Sequence, residues 1–134
     1  MSGVAIMRAL LLERPALAAL VGGRIVAGVV SQKAILPTVS ITEISVRELS
    51  TIANRADSVL MWARIQVTAL AKSYAEQKAV LKACRLGQGV HTGVIAGYTV
   101  RAVTHDAVGP DLSDTDIGIY EQSRDFIVTY IEAQ

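Results

Sequence analysis

The stretch Val59–Ala69, VLMWARIQVTA, alternates between two kinds of side chain. Its odd-numbered positions are all apolar, and Arg64, Gln66 and Thr68 stand between them. A period of two residues places alternate side chains on opposite faces of a β-strand. The stretch therefore predicts a long strand that buries one face in a hydrophobic core and leaves the other face polar.

A helix is predicted directly after this strand. Ser73 and Glu76 have the spacing of a capping box, in which the serine oxygen accepts a bond from an amide three residues on. Gly87 is suited to end the helix. The buried stripe is predicted to consist of Ala75, Ala79, Val80, Ala83 and Cys84. Cys84, the one cysteine of the chain, is thus expected to be a buried thiol with a raised pKa and not a nucleophile.

Three further long strands are predicted, and Arg24–Val30 is a weaker strand candidate. Thr38–Leu49 is rich in β-branched residues, and its alternation changes parity near Thr42 and Glu43, which predicts a β-bulge there. Val94–Thr104 and Ile117–Ile131 also alternate, and each predicts one continuous strand.

Two helices are predicted at the start of the chain. Apolar residues recur at helical spacing over Ser2–Leu12, and Pro15 then favours a second short helix over Ala16–Val21. The order of elements predicts an α+β fold, with an antiparallel four-stranded sheet and its helices packed on one face. A length of 134 residues predicts a single domain over the whole chain, 1–134.

The composition is apolar for a small chain of balanced charge. Hydrophobic residues make up 51% of the sequence and charged residues 19%, with a formal net charge of +1. This balance argues against specific nucleic-acid recognition, which relies on a basic surface. No apolar run reaches the roughly 20 residues of a membrane span, so no membrane partner is expected. We expect the apolar surplus to be buried in a subunit interface.

The histidines do not suggest catalysis. His91 and His105 have no nucleophile or carboxylate nearby at a catalytic spacing, and His105 is better suited to an ion pair with the adjacent Asp106. No catalytic residue and no cofactor is therefore predicted. A small cytoplasmic enzyme or a ligand-binding regulator remains the alternative class of protein.

Two loops are candidate interface elements. Ser50–Ser58, with Arg55 and Asp57, is long for a hairpin turn and is expected to contact a partner. The segment Asp106–Asp116 is acidic, and it is expected to be a docking feature or a solvated turn.

A metal site is not predicted in the acidic segment. An EF-type loop that starts at Asp111 would have Asp116 at the position that requires glycine. Asp111, Asp114 and Asp116 are therefore named as interface candidates. Trp62 and Arg64, on the polar face of the central strand, are further candidates, because Trp and Arg are enriched at the core of interfaces.

Four segments together resemble the tail-completion or tail-terminator proteins of long-tailed bacteriophages and related phage-like particles. They are ALLLERPALAALVGGRI (Ala9–Ile25), LPTVSI (Leu36–Ile41), ARIQVTALAKSYAE (Ala63–Glu76) and DTDIGIYEQSRDFIVTY (Asp114–Tyr130). Each segment is short and loose by itself, and the resemblance rests on their order along nearly the whole chain.

This resemblance implies a structural role without catalysis. Such proteins form a ring, commonly of six copies, on the head-proximal end of the tail tube, where they stop tube polymerisation and join the tail to the neck. The implied partners are other copies of the chain, the tail tube protein and a neck or head-completion protein, around a lumen through which DNA can pass. The implied location is the tail–neck junction of a particle made in the host cytoplasm. The sequence leaves a head-completion or neck adaptor ring as the alternative.

Overall fold

The computed structural model describes residues 2–28, 35–49, 58–86, 91–114 and 118–133. The helices in these residues are α1 (Ser2–Leu12), α2 (Pro15–Val21) and α3 (Tyr74–Ala83). The strands are β1 (Ile25–Ala27), β2 (Thr38–Leu49), β3 (Ser58–Ala71), β4 (Gly93–Ile95), β5 (Tyr98–Val108), β6 (Leu112–Asp114) and β7 (Ile119–Ala133). None of the described helices is both long and apolar enough to cross a membrane.

The strands form one curled, mixed sheet in the order β1-β2-β3-β7-β5-β4, and β6 pairs with β7 beyond the end of β5. β1 runs parallel to β2, and every other described pair is antiparallel. Strand makes up 55% of the described residues. The predicted α+β class with an antiparallel four-stranded sheet is therefore wrong, because the described part of the chain is mostly β and forms a mixed sheet of seven strands.

Short strands explain why the fold class was predicted wrongly. β4 and β6 have three residues each, too few for an alternating pattern to be visible in the sequence. β1 is equally short and lies within the weaker candidate Arg24–Val30, which the four-stranded prediction did not include. The strand predicted over Val94–Thr104 is also wrong as one element, because the chain reverses between β4 and β5. Ala96 and Gly97 make this turn with φ of 53° and 84°, the left-handed values that a two-residue hairpin requires. Alanine rarely adopts that conformation, so the turn had no clear sequence signal.

β3 lies in the middle of the sheet and carries the centre of the core. Every second side chain from Met61 to Ala71 is buried, which confirms the alternation predicted for this strand. The helices lie on the face of the sheet that carries Ile65. α1 approaches this face closely, because a Cβ added to Gly3 would lie 2.8 Å from the Ile65 Cδ1 atom.

Two local predictions around the central strand are confirmed. The β2–β3 register shifts between Glu43 and Ser45, so the bulge lies at Ile44. The Ser73 hydroxyl accepts a hydrogen bond of 3.2 Å from the Glu76 amide at the start of α3. The Glu76 carboxylate completes the cap by accepting a bond of 3.1 Å from the amide of Lys72, one residue before the serine.

The buried stripe of α3 agrees with the prediction at Val80 and Cys84 and differs at other positions. Ala75 and Ala79 are exposed, and the stripe consists of Gln77, Val80, Leu81 and Cys84. These four residues have the spacing of one helix face. Because glutamine is usually exposed, the sequence pattern selected the small residues on the neighbouring face instead.

Candidate functional site

The sheet face opposite the helices, here called the outer face, carries the polar residues predicted from the alternation of β3. Trp62 and Arg64 both lie on it and are half-buried. Arg47, the register partner of Trp62 on β2, places its guanidinium carbon 4.8 Å from the centroid of the tryptophan ring. This contact is a cation–π interaction, and it holds Trp62 against the sheet.

Arg64 is occupied by two carboxylates of its own chain. Its Nη1 atom donates to Asp106 on β5 and, at 3.2 Å, to Asp125 on β7. The hydrogen bond to Asp106, followed by the one to Asp125, raises the pKa of Arg64. The triad links three strands across the outer face, so Arg64 is less available to a partner than its position alone suggested.

The ion pair predicted between His105 and Asp106 is wrong. Adjacent residues of a strand point to opposite faces. Asp106 therefore reaches Arg64 on the outer face, whereas the ring of His105 lies 5.0 Å from that of Phe126.

The acidic segment is not one loop. Asp106 belongs to β5 and Asp114 to β6, and Asp111 is tied to the start of α3. The Asp111 carboxylate accepts hydrogen bonds from the Tyr74 hydroxyl at 2.9 Å and from the Lys78 ammonium at 3.1 Å. Both bonds lower the pKa of Asp111, and the bond from Tyr74 contributes more than the bond from Lys78.

Three of the interface candidates fall outside the described residues, namely Arg55, Asp57 and Asp116. The backbone of Asp114 is described, and its side chain is not. The predicted contacts of the Ser50–Ser58 loop accordingly stay predictions.

The two edges of the sheet carry exposed apolar side chains that the sequence reading missed. Val26 and Ile44 are exposed at the β1–β2 edge. At the opposite edge Val94, Val108 and Leu112 are 76%, 52% and 54% exposed. Apolar side chains that are exposed along an unpaired strand edge are typical of a surface that another protein chain covers.

Both edges are also open for strand pairing in the part of the chain that the structure describes. β1 pairs with only residues 39–41 of β2, and β4 with only residues 98–100 of β5. From Thr42 on, β2 has β3 as its one described neighbour, and from Arg101 on, β5 has β7. Long unpaired edges are templates for pairing with another chain.

Cys84 is fully buried, as predicted, and burial raises the pKa of its thiol to about 12. In the unfolded chain the pKa of a cysteine lies near 8.5. The folded state holds the thiol proton more tightly than the unfolded state does. The contribution of this thiol to the free energy of unfolding is therefore complete below about pH 8 and is lost as the pH rises from the unfolded to the folded pKa. The slope between them is about 1.4 kcal/mol per pH unit.

Urea unfolding of the wild-type chain and of Cys84→Ala at pH 7 and pH 10 tests this linkage. Between these pH values the wild type should lose about 1–2 kcal/mol more free energy of unfolding than the variant. Equal losses in the two proteins would show that the thiol is not desolvated in the native state.

These features define a class of protein: a small, mostly β fold with helices on one sheet face and exposed apolar side chains at both described sheet edges. Residues 5–86, more than half of the chain, match the model of the family described as "Tail completion protein gp17". The chain belongs to this family and is a structural protein of a phage or phage-like virion tail. The resemblance found in the sequence is thereby confirmed.

Comparison with solved structures supports the fold. The chain is similar to one in the "Virion of native gene transfer agent (GTA) particle", with a TM-score of 0.67 and 14% sequence identity. The alignment covers 96% of this chain and 94% of that chain. Comparison with curated protein sequences found no match.

Proposed function

We propose that the chain is a ring subunit that caps the head-proximal end of a tail tube, stops tube polymerisation and joins the tail to the neck. Its membership in the tail completion family supports a role at the end of tail assembly. The role is structural, and no catalytic step is assigned to any residue.

The observation that carries the ring is the pair of open apolar edges. The β1–β2 edge and the β4–β5 edge lie on opposite sides of the same sheet. When one edge of a subunit binds the other edge of its neighbour, the contact is heterologous. A suitable rotation between neighbours then closes the assembly into a ring. Ring closure would cover both edges of every subunit and bury residues such as Val26 and Val108.

The partners follow from this position in the particle. One side of the ring would contact the last tail tube subunits, and the other side a neck or head-completion protein. Six copies are the number that the family resemblance implies.

Particles that lack this chain test the proposed role. We expect tails of irregular length without attached heads, because nothing would stop tube growth or bind the neck. Expression of the wild-type chain in trans should restore uniform tails, and electron microscopy measures both outcomes.

Light scattering after size exclusion should in addition show a closed oligomer of the purified chain, alone or bound to tubes. Tails of normal length that fail to join heads would instead indicate a neck adaptor. A full yield of normal particles without the chain would contradict both roles.

A further inference from the structure

The β1–β2 edge of the sheet has a step, and an apolar groove lies at the corner of this step. β1 ends at Ala27, which pairs with Ile41, whereas β2 continues to Leu49 with β3 as its one described neighbour. The groove has a volume of about 290 Å³ and is lined by Val4, Ala27, Gly28, Ile41, Thr42 and Glu43. An apolar cavity of about 150 Å³ holds a molecule of benzene, so the groove has room for one aliphatic side chain.

The opposite edge has a step at the other end of the sheet. β4 pairs with residues 98–100 of β5, and from Arg101 to Val108 the outer side of β5 has no described strand. β1 thus widens one edge near the junction of β3 with α3, and β4 widens the other edge near the start of β3. The two edges are complementary, because β2 can lie beside β5 of another copy while β1 lies beyond the end of that β5 and β4 beyond the end of β2.

Val108 lies at the level of the groove and on the same face of the sheet. Its register partner is Arg124 on β7, which pairs with Val67 on β3, and Val67 pairs with Ile41 in the groove. Register partners in an antiparallel sheet project to the same face. Val67 and Ile41 are buried on the helix side, so Val108, which is 52% exposed, also projects to the helix side.

The other exposed apolar residues of this edge lie at different levels. Register partners lead from Val94 to Leu49, at the far end of β2, and from Leu112 to Thr38, where β2 begins. Both lines of partners lie on the outer face, because they pass through even-numbered positions of β3. Level, face and apolar character together therefore select Val108 as the side chain that fits the groove.

We propose that Val108 of one copy enters this groove in the next copy of the ring, and that β2 and β5 pair there as antiparallel strands. The inference rests on the proposed ring and adds the register of its joints. Copies in a ring share one orientation relative to its axis. β2 and β5 run in opposite directions within the sheet, so neighbouring copies bring them together in antiparallel order. Burial of the valine methyl groups favours the register that places Val108 in the groove.

Val108→Ala tests the side chain that enters the groove. We expect the concentration for half-maximal ring formation, from light scattering, to rise about ten-fold, the scale for loss of two buried methyl groups. Leu20→Ala is the matched control, because Leu20 is an exposed apolar residue of α2, away from both edges. It should change the midpoint by less than about two-fold, the scale of an ordinary surface substitution.

Ala27→Leu tests the groove itself. Ala27 is exposed, so the isolated subunit should tolerate leucine, which would fill the groove and exclude Val108. We expect ring formation to weaken about ten-fold. The double variant with Val108→Ala should assemble better than Ala27→Leu alone, because the smaller side chain on one copy makes room for the larger one on the next. Such coupling is typical of residues in contact.

The possible outcomes separate the groove from the ring and from the fold. Additive effects in the double variant, or an unchanged midpoint for Val108→Ala, would overturn the register while the ring stands. A wild-type chain that stays monomeric both in solution and on tubes would overturn the ring and the register with it. All variants should keep the Tm of the wild-type subunit. A loss of Tm that parallels the loss of assembly would overturn the proposal, since these side chains would then support the fold.

Discussion

Phe126→Ala should cost about 3–5 kcal/mol of the free energy of unfolding, which is a large part of the stability of a typical small domain. Phe126 is fully buried in β7, between Ile65 on β3 and His105 on β5. Alanine would leave a cavity where the central strands and the helices meet, and the rigid strand pairing on both sides would prevent its collapse.

Urea unfolding followed by circular dichroism measures this effect. Phe126→Leu is the matched control, because it keeps much of the side-chain volume and should lose considerably less stability. A loss below about 1 kcal/mol for the alanine variant would mean that the site relaxes and that the core does not depend on this ring.

Val94→Asp should abolish ring formation while the subunit stays folded. Val94 is a 76% exposed apolar residue of β4, at the β4–β5 edge, so aspartate costs little in the isolated chain. In a closed edge-to-edge joint the carboxylate would be desolvated, and Val94 lies outside the cleft of Arg85 and Arg124, whose guanidinium groups could otherwise pair with it. We expect at least a hundred-fold weaker assembly, equivalent to about 3 kcal/mol, in light-scattering titrations.

Two further variants locate the joint. Ile44→Asp changes an exposed residue of the opposite edge and should have a similar effect, because each joint uses one edge of each kind. Leu20→Asp is the control, since Leu20 is an exposed apolar residue of α2, away from both edges. Loss of assembly with Leu20→Asp, and not with the two edge variants, would move the interface to the helical layer.

The sequence predicted correctly those features that depend on residues close together in the chain. The alternation of β3, the bulge in β2 and the Ser73 cap each depend on residues within a few positions of one another. Strands of three residues leave no such pattern, and the turn at Ala96 lacks the usual residues. The fold class was therefore missed although its central strand was predicted correctly.

The candidate site depends on residues far apart in sequence, which limited its prediction. Arg64 was placed on the correct face, but its carboxylates lie 42 and 61 positions away. The cleft lined by Arg85, His105 and Arg124 combines the end of α3, an irregular part of β5 and the middle of β7. Only the order of strands in the sheet brings these segments together, and no periodicity in the sequence predicts that order.

The antiparallel course of the long strands gives the subunit a polarity from end to end. β2 ends and β3 begins at one end of the sheet, where the β4–β5 turn also lies. The opposite end carries the junction of β3 with α3, the β6–β7 pair and the Asp111 contacts to Tyr74 and Lys78. Copies joined edge to edge in one orientation would present all of the first ends on one side and all of the second ends on the other. Such an assembly is a plate with two unlike surfaces, so it can bind a different structure on each side.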